Sequence, residues 1–138
     1  MRRLATVLIV AVGLIQAAPI VGAVASDFDG FYGVHVADDP NLLILLRSRA
    51  VYYGIVGIFL LYAVWRRQHL GPAMLLAGTG LGAYALHALL EPDHNSKLGV
   101  LIVIDLVAVA LLVIAWILER SAAGASQRTG ANGSTGLR

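Results

Sequence analysis

Four apolar stretches, each close to the length a helix needs to cross a bilayer, take up most of this 138-residue chain. They run over residues 4–25, 42–65, 71–90 and 98–118. A spanning helix needs about 20 predominantly apolar residues. Inside hydrocarbon every backbone N–H and C=O must find a partner within the protein, which leaves helices and closed barrels as the spanning structures. Uninterrupted apolar runs of this length predict helices. Hydrophobic residues make up 59% of the chain and charged residues 13%, which places it with integral membrane proteins and away from soluble domains. The connections are short, so neighbouring helices should be antiparallel. The predicted fold is therefore all-α, an integral membrane four-helix bundle with up-and-down topology over residues 1–118. Residues 119–138 are rich in Gly, Ser, Ala, Thr and Asn with almost no bulky apolar side chain, and their composition predicts a disordered tail.

Charge sets the expected direction of the spans. Arg2 and Arg3 precede the first stretch, Arg66 and Arg67 follow the second, and Arg120, Arg128 and Arg138 follow the fourth. The two remaining connections carry Asp27, Asp29, Asp38, Asp39, Glu91 and Asp93, with Lys97 as their base. The positive-inside rule then predicts a multi-pass protein of the cell membrane with both termini and the tail in the cytoplasm. An alternative start exists: Arg2 and Arg3 with Ala23-Val24-Ala25 before Ser26 resemble a cleavable signal peptide. The apolar region is longer than the about 7–15 residues typical of such a leader, which favours an uncleaved first span. The absence of cysteine excludes disulfides, thiolate metal sites and dithiol chemistry. The basic residues are scattered over flanks and tail, without the clustered patch that a nucleic-acid partner requires.

Polar residues inside the spans are where function is expected. A charged side chain near the middle of a bilayer costs about 2.5–3.5 kcal/mol on insertion scales, so it pairs, lines a cavity or reaches for the headgroups. Arg47 and Arg49 interrupt the second stretch, and Asp105 is the one carboxylate well inside a span. At 1.5 Å per residue, Arg47 lies about 8 Å, Arg49 about 10 Å and Asp105 about 10 Å from the outer start of its span. His87 lies about 5 Å, Tyr84 about 9 Å and Gln16 about 13 Å from the outer end of its own. Every span thus places a polar group in the outer half. Arg47 shares a helix stripe with Ala50, Gly54 and Gly57, and Gln16 lies one turn from Gly13. Small-residue stripes mark the faces on which helices pack in lipid. Arg49 is about 200° round the helix from Arg47, and either arginine is a possible partner for Asp105. The set Arg47, Arg49, Asp105, His87, Tyr84 and Gln16 is accordingly a candidate pocket or polar core. Two guanidinium groups facing one carboxylate would favour an anionic guest, a lipid headgroup or small acid bound through bidentate arginine contacts. His87 near the mouth would make such binding pH-dependent. The alternative is a purely structural cluster that fixes helix register.

Other signals are weaker. Gly78 and Gly82 form G-x-x-x-G, which suits a close helix contact within the chain or between copies. His35, Asp38, Asp39, Glu91, Asp93 and His94 in the outer connections are ordinary loop composition as well as possible cation ligands, and neither a metal nor another cofactor is expected. Haem would need two inward histidines, and His87 is the one candidate. Pro19 is placed to kink the first span near Gln16, and Asp39-Pro40-Asn41 is placed to start the second helix. No nucleophile–base pair is visible.

The stretch Phe31-Tyr32-Gly33-Val34, followed by Asp39-Pro40-Asn41-Leu42-Leu43-Ile44-Leu45-Leu46-Arg47-Ser48-Arg49-Ala50, resembles a family of small bacterial four-span membrane proteins. In these, Tyr-Gly precedes a second helix that opens with Arg-x-Arg-Ala and continues through glycines, and the last span carries an aspartate, here matched by Asp105. The resemblance covers residues 4–118 and implies an intact first span. Some members carry the label phosphopantetheine adenylyltransferase. A soluble nucleotidyltransferase needs an α/β domain and a His-x-Gly-His-type segment, and none of His35, His69, His87 and His94 fits that pattern. The residues point to a membrane protein that binds or helps move a lipid headgroup or small anion. The alternative is an accessory or scaffold subunit in a homo-oligomer or larger complex. An enzyme is the least supported class.

Overall fold

A computed structural model describes residues 2–25, 33, 39–91, 93 and 95–133, with side chains, Ala25 apart, through residue 122. Among these residues all regular structure is helical: α1 (Arg2–Ala17), α2 (Pro19–Ala25), α3 (Pro40–Trp65), α4 (Leu70–Leu90) and α5 (Ser96–Gly133), with a 3-10 turn at Arg67–His69. Four segments are long and apolar enough to cross a membrane, namely Arg2–Val24, Pro40–Trp65, Arg67–Leu90 and Ser96–Ala122. These coincide with the four expected stretches. His35, Asp38, His94 and Phe31, Tyr32 and Val34 of the resembling segment lie outside the described residues.

The first span is one apolar run but two helices. Ala18 is the break, and its N–H still bonds the Leu14 carbonyl at 3.0 Å. Pro19 has no N–H to give to the Ile15 carbonyl and its ring crowds that turn, so α1 stops and α2 restarts at the proline. α3 starts where its sequence says. The Asp39 carboxylate accepts from the Asn41 and Leu42 N–H groups at 2.9 and 3.1 Å, and Pro40 occupies the first helical position. Asp39→Ala should lower stability by about 0.5–2 kcal/mol, while Asp39→Ser keeps most of it. Thermal unfolding in detergent reads the difference, and equal melting of the two variants would count against the cap. Asn95 does two jobs at the start of α5: its Oδ1 accepts from the Leu98 N–H at 2.9 Å, and its Nδ2 donates to the Gly33 carbonyl at 3.3 Å. Gly33 has φ +65°, which a residue without Cβ adopts freely.

α5 does not stop at Leu118. The chain stays helical through residues 119–122 and beyond, into the segment whose composition predicts disorder. Ser121 Oγ donates back to the Ile117 carbonyl at 2.9 Å, and the following alanines have high helix propensity. Residues 134–138 lie outside the described residues.

The helices form a ring. α1 packs on α3 and α5, α4 packs on α3 and α5, and α2 packs on α3. The core is Ile9, Val12, Leu60 and Leu81, interleaved with fully buried Ala63, Ala73, Ala77, Ala108 and Ala115. Alanines let the helix axes approach, the pattern expected where lipid removes any hydrophobic drive between helices. The outside is equally apolar: Leu4, Leu14, Ile55, Leu75, Val103 and Ile117 are each more than half exposed. A soluble monomer rarely shows contiguous apolar surface beyond a few hundred Å², and acyl chains cover such a surface in a membrane.

α1 and α3 cross at glycine. A Cβ on Gly57 would lie 2.6 Å from both the Ala17 N and the Gly13 carbonyl oxygen. The G-x-x-x-G of α4 behaves differently, since a Cβ on Gly82 would meet nothing within 4 Å and one on Gly78 only Leu112 at 4.0 Å. That motif makes no close crossing among the described residues.

Candidate functional site

Two cavities share one wall, made of Arg49, Tyr53 and Tyr84. The first, about 50 Å³, is lined by Ile15, Gln16 and Pro19 of the first span, Arg49 and Tyr53 of α3, Leu81 and Tyr84 of α4, and Leu101 and Asp105 of α5. All four spans contribute to it. The second is a groove of about 600 Å³ between α3 and α4, lined by Arg49, Tyr52, Tyr53, Leu76, Thr79, Gly80, Ala83, Tyr84 and His87. Tyr52, Leu76, Thr79, Ala83 and His87 are exposed, so the groove opens on the side of the bundle.

Local structure holds Arg49 in place. Tyr53 follows it by one helical turn, and its hydroxyl donates to the Gly80 carbonyl on α4 at 3.3 Å. The guanidinium carbon sits 4.0 Å from the Tyr84 ring centroid and 5.4 Å from that of Tyr53. A cation over an aromatic face gains about 0.5–2 kcal/mol, more as water is removed, which offsets part of the cost of holding charge at this depth. Asp105 lines the same cavity, yet among the described residues no ion pair within 4 Å joins it to Arg49.

Among the described residues Gln16 is the most buried polar side chain, 2% exposed. Its Nε2 donates to the Ala77 carbonyl at 3.3 Å, reaching across the ring from α1 to α4. Its Oε1 is buried and, among the described residues, has no hydrogen-bond partner. An acceptor left in that state costs about 1–3 kcal/mol. The proline break sets this geometry: Ile15, Gln16 and Pro19 all lie on the cavity wall, and irregular backbone at membrane depth is tolerated where it lines a cavity.

The predicted residues thus divide into three groups. Gln16, Arg49, Tyr84 and Asp105 line one cavity. His87 lines the adjoining groove with Arg49 and Tyr84. Arg47 is exposed and lines neither. The glycine stripe it shares with Gly54 and Gly57 is indeed the packing face, but Ile20 of α2 packs on Gly54, two turns further along α3. Two guanidinium groups therefore do not face one carboxylate in this cavity. Ser48, between the arginines, donates to the Ile44 carbonyl at 2.7 Å within its own helix, and Thr79 does the same to Leu75 at 2.8 Å.

Tyr53 lies on the Arg49 side of α3, as its i+4 spacing implies, and it lines the cavity as well. A second polar cluster lies elsewhere, where the outer-half pattern leaves no place for one. Arg67 donates through Nη1 to Glu119 at 2.7 Å and through Nη2 to the Thr6 hydroxyl at 2.6 Å, and Arg2 lies 3.9 Å from Glu119. Among the described residues no group of three or more His, Asp or Glu is placed to hold a metal ion.

The fold and site define a helical bundle of four segments long and apolar enough to cross a membrane, with a small cavity to which all four contribute. Comparison with known proteins gives no match to a family model, to a curated protein or to a solved structure.

Proposed function

We propose that this protein is a multi-pass protein of the cell membrane that binds a phospholipid headgroup in the outer half of an antiparallel bundle, with both termini cytoplasmic. The observation that carries the reading is the position of Arg49. It is stacked on Tyr84, backed by a cavity holding Asp105 and Gln16, and open to a groove of about 600 Å³ between α3 and α4. A groove on the side of a bundle faces lipid, so a lipid reaches the guanidinium without leaving the bilayer. The groove's polar residues are Arg49, Tyr52, Thr79 and His87, and Leu76 and Ala83 between them offer apolar contacts for an acyl chain. Arginine is the side chain best shaped for a phosphate. The topology rests on the basic flanks, and the Thr6–Arg67–Glu119 contacts bring the start of α1, the α3–α4 turn and the later part of α5 together at one end. Binding, or assistance to lipid movement, is the assigned role, without a chemical step.

The test is native mass spectrometry of gently extracted protein. Wild type should retain phospholipid, Arg49→Leu should lose at least about tenfold of it, a loss of about 1.4 kcal/mol, and Arg47→Leu should resemble wild type. Equal retention by wild type and Arg49→Leu sinks the reading. A second reading is favoured by the ties from Gln16 to Ala77 and from Tyr53 to Gly80, which brace helices whatever is bound. In it the cluster is structural, and the protein is a scaffold or accessory subunit of a homo-oligomer or larger complex. Its signature is a stable partner chain with no lipid retained.

A further inference from the structure

Charge and hydrogen-bond accounting in the cavity behind Arg49 narrows the ligand, on the footing of the lipid-headgroup reading above. The cavity holds one cation, Arg49, and one carboxylate, Asp105, so a simple anion bound there would leave a net negative charge in a poorly solvated space. A zwitterion leaves it balanced. Gln16 Oε1 is buried without a donor, and among the described residues no hydrogen bond or ion pair reaches Asp105. Both are acceptors lining one space of about 50 Å³. A single water needs about 10–15 Å³ on this measure, so the space admits a small donor group and its methylene.

We propose that this cavity receives the primary ammonium group of a phosphoethanolamine, bonded by Gln16 Oε1 and Asp105, while its phosphate meets Arg49 from the groove side. Phosphatidylethanolamine in the bilayer and free phosphoethanolamine share the primary ammonium and the phosphate, and the lipid, a phosphodiester, is the balanced zwitterion, while the free phosphomonoester carries additional negative charge at neutral pH. A trimethylated amine has no N–H to give, so it leaves Gln16 Oε1 unsatisfied. A glycerol headgroup brings no positive charge to Asp105.

The experiment places the full-length protein in nanodiscs of equal phosphatidylethanolamine, phosphatidylcholine and phosphatidylglycerol with identical acyl chains, and counts retained lipid by native mass spectrometry. Wild type should hold phosphatidylethanolamine over phosphatidylcholine by about tenfold, the ratio one unsatisfied buried acceptor produces. Gln16→Met, close in shape and lacking the acceptor, should lower the ratio several-fold, with Asp105 holding the remainder, while keeping Arg49-dependent phospholipid. Asp105→Asn should lower it independently, which covers the case in which Gln16→Met fails to fold. Free phosphoethanolamine is added in a second arm: displacement of the lipid identifies the soluble molecule as the source, and no displacement identifies the lipid. Equal retention of the two lipids by wild type, or an unchanged ratio in both variants, overturns the ammonium site, and a cavity filled by water alone gives that result. Retention that does not depend on Arg49 overturns the headgroup reading itself.

Discussion

Gly57→Ala should lower unfolding stability by about 1–3 kcal/mol, although it adds a single methyl group in a helix, where alanine is intrinsically the better residue by about 1 kcal/mol. The reason is what the methyl meets. Its ideal position lies 2.6 Å from the Ala17 nitrogen and the Gly13 oxygen and 3.0 Å from the Gln16 carbonyl carbon. All three are backbone atoms of the first span, so no rotamer change relieves the overlap and α1 must move off α3. Gly13→Ala and Gly54→Ala should cost less, because the atoms met at 2.8 Å belong to the flexible side chains of Leu61 and Ile20. Gly82→Ala should be neutral or slightly stabilising, since nothing lies within 4 Å. Urea or thermal unfolding of the four variants in one detergent gives the order. Should Gly57→Ala and Gly82→Ala melt together, the crossing is not where the structure has it. Gly57→Ala should also lower the preference for phosphatidylethanolamine, because the displaced backbone carries Gln16.

The second large effect lies in the Arg67 cluster. Glu119→Ala should cost about 1–2 kcal/mol, below the about 1.5–3 kcal/mol of a fully buried charge-assisted bond because solvent reaches part of the pair. The side chains of Arg67 and Glu119 are 34% and 17% exposed. Arg67 gives one nitrogen to Glu119 and the other to Thr6, joining the α3–α4 turn to α5 and α1 at once. Lysine offers a point charge and cannot hold both partners in that fork, so Arg67→Lys should recover little. The Arg2 side chain, 68% exposed and 3.9 Å away, should contribute close to nothing. A double-mutant cycle on Arg67 and Glu119 should give a coupling of about 1 kcal/mol that shrinks in high salt. The same cycle on Arg2 and Glu119 should give about zero. Equal couplings would show that the cluster is surface charge and no clamp.

Much of the fold was legible because the membrane imposes one-dimensional rules. An apolar run of sufficient length spans, and a proline without an N–H breaks its helix whatever the surroundings, as Pro19 does. Asp39 before Pro40 caps, and glycines on one stripe mark a packing face, as Gly54 and Gly57 do. These outcomes depend on residues within a few positions of one another, so the sequence decides them unaided. The glycines of α4 show the boundary of that rule: Gly78 and Gly82 have the right spacing, but whether a partner lies opposite is not written in their own helix.

The site belongs to the other side of that boundary. Sequence places Arg47 and Arg49 at nearly equal depth and cannot choose between them. The choice falls to Arg49 because Tyr84 of α4 and Asp105 of α5 come round to its face, while α2 packs on Arg47's stripe at Gly54, two turns away from Arg47 itself. Thr6, Arg67 and Glu119 read as three unrelated flanking residues, and only the ring of helices brings them within hydrogen-bonding distance. The unpartnered Gln16 oxygen is likewise a property of what surrounds it. Segment length, breaks and caps come from local sterics and hydropathy, which the chain carries in its order. Which polar groups meet, and which are left without a partner, depends on helix rotation and neighbour identity, which exist only once the helices have packed.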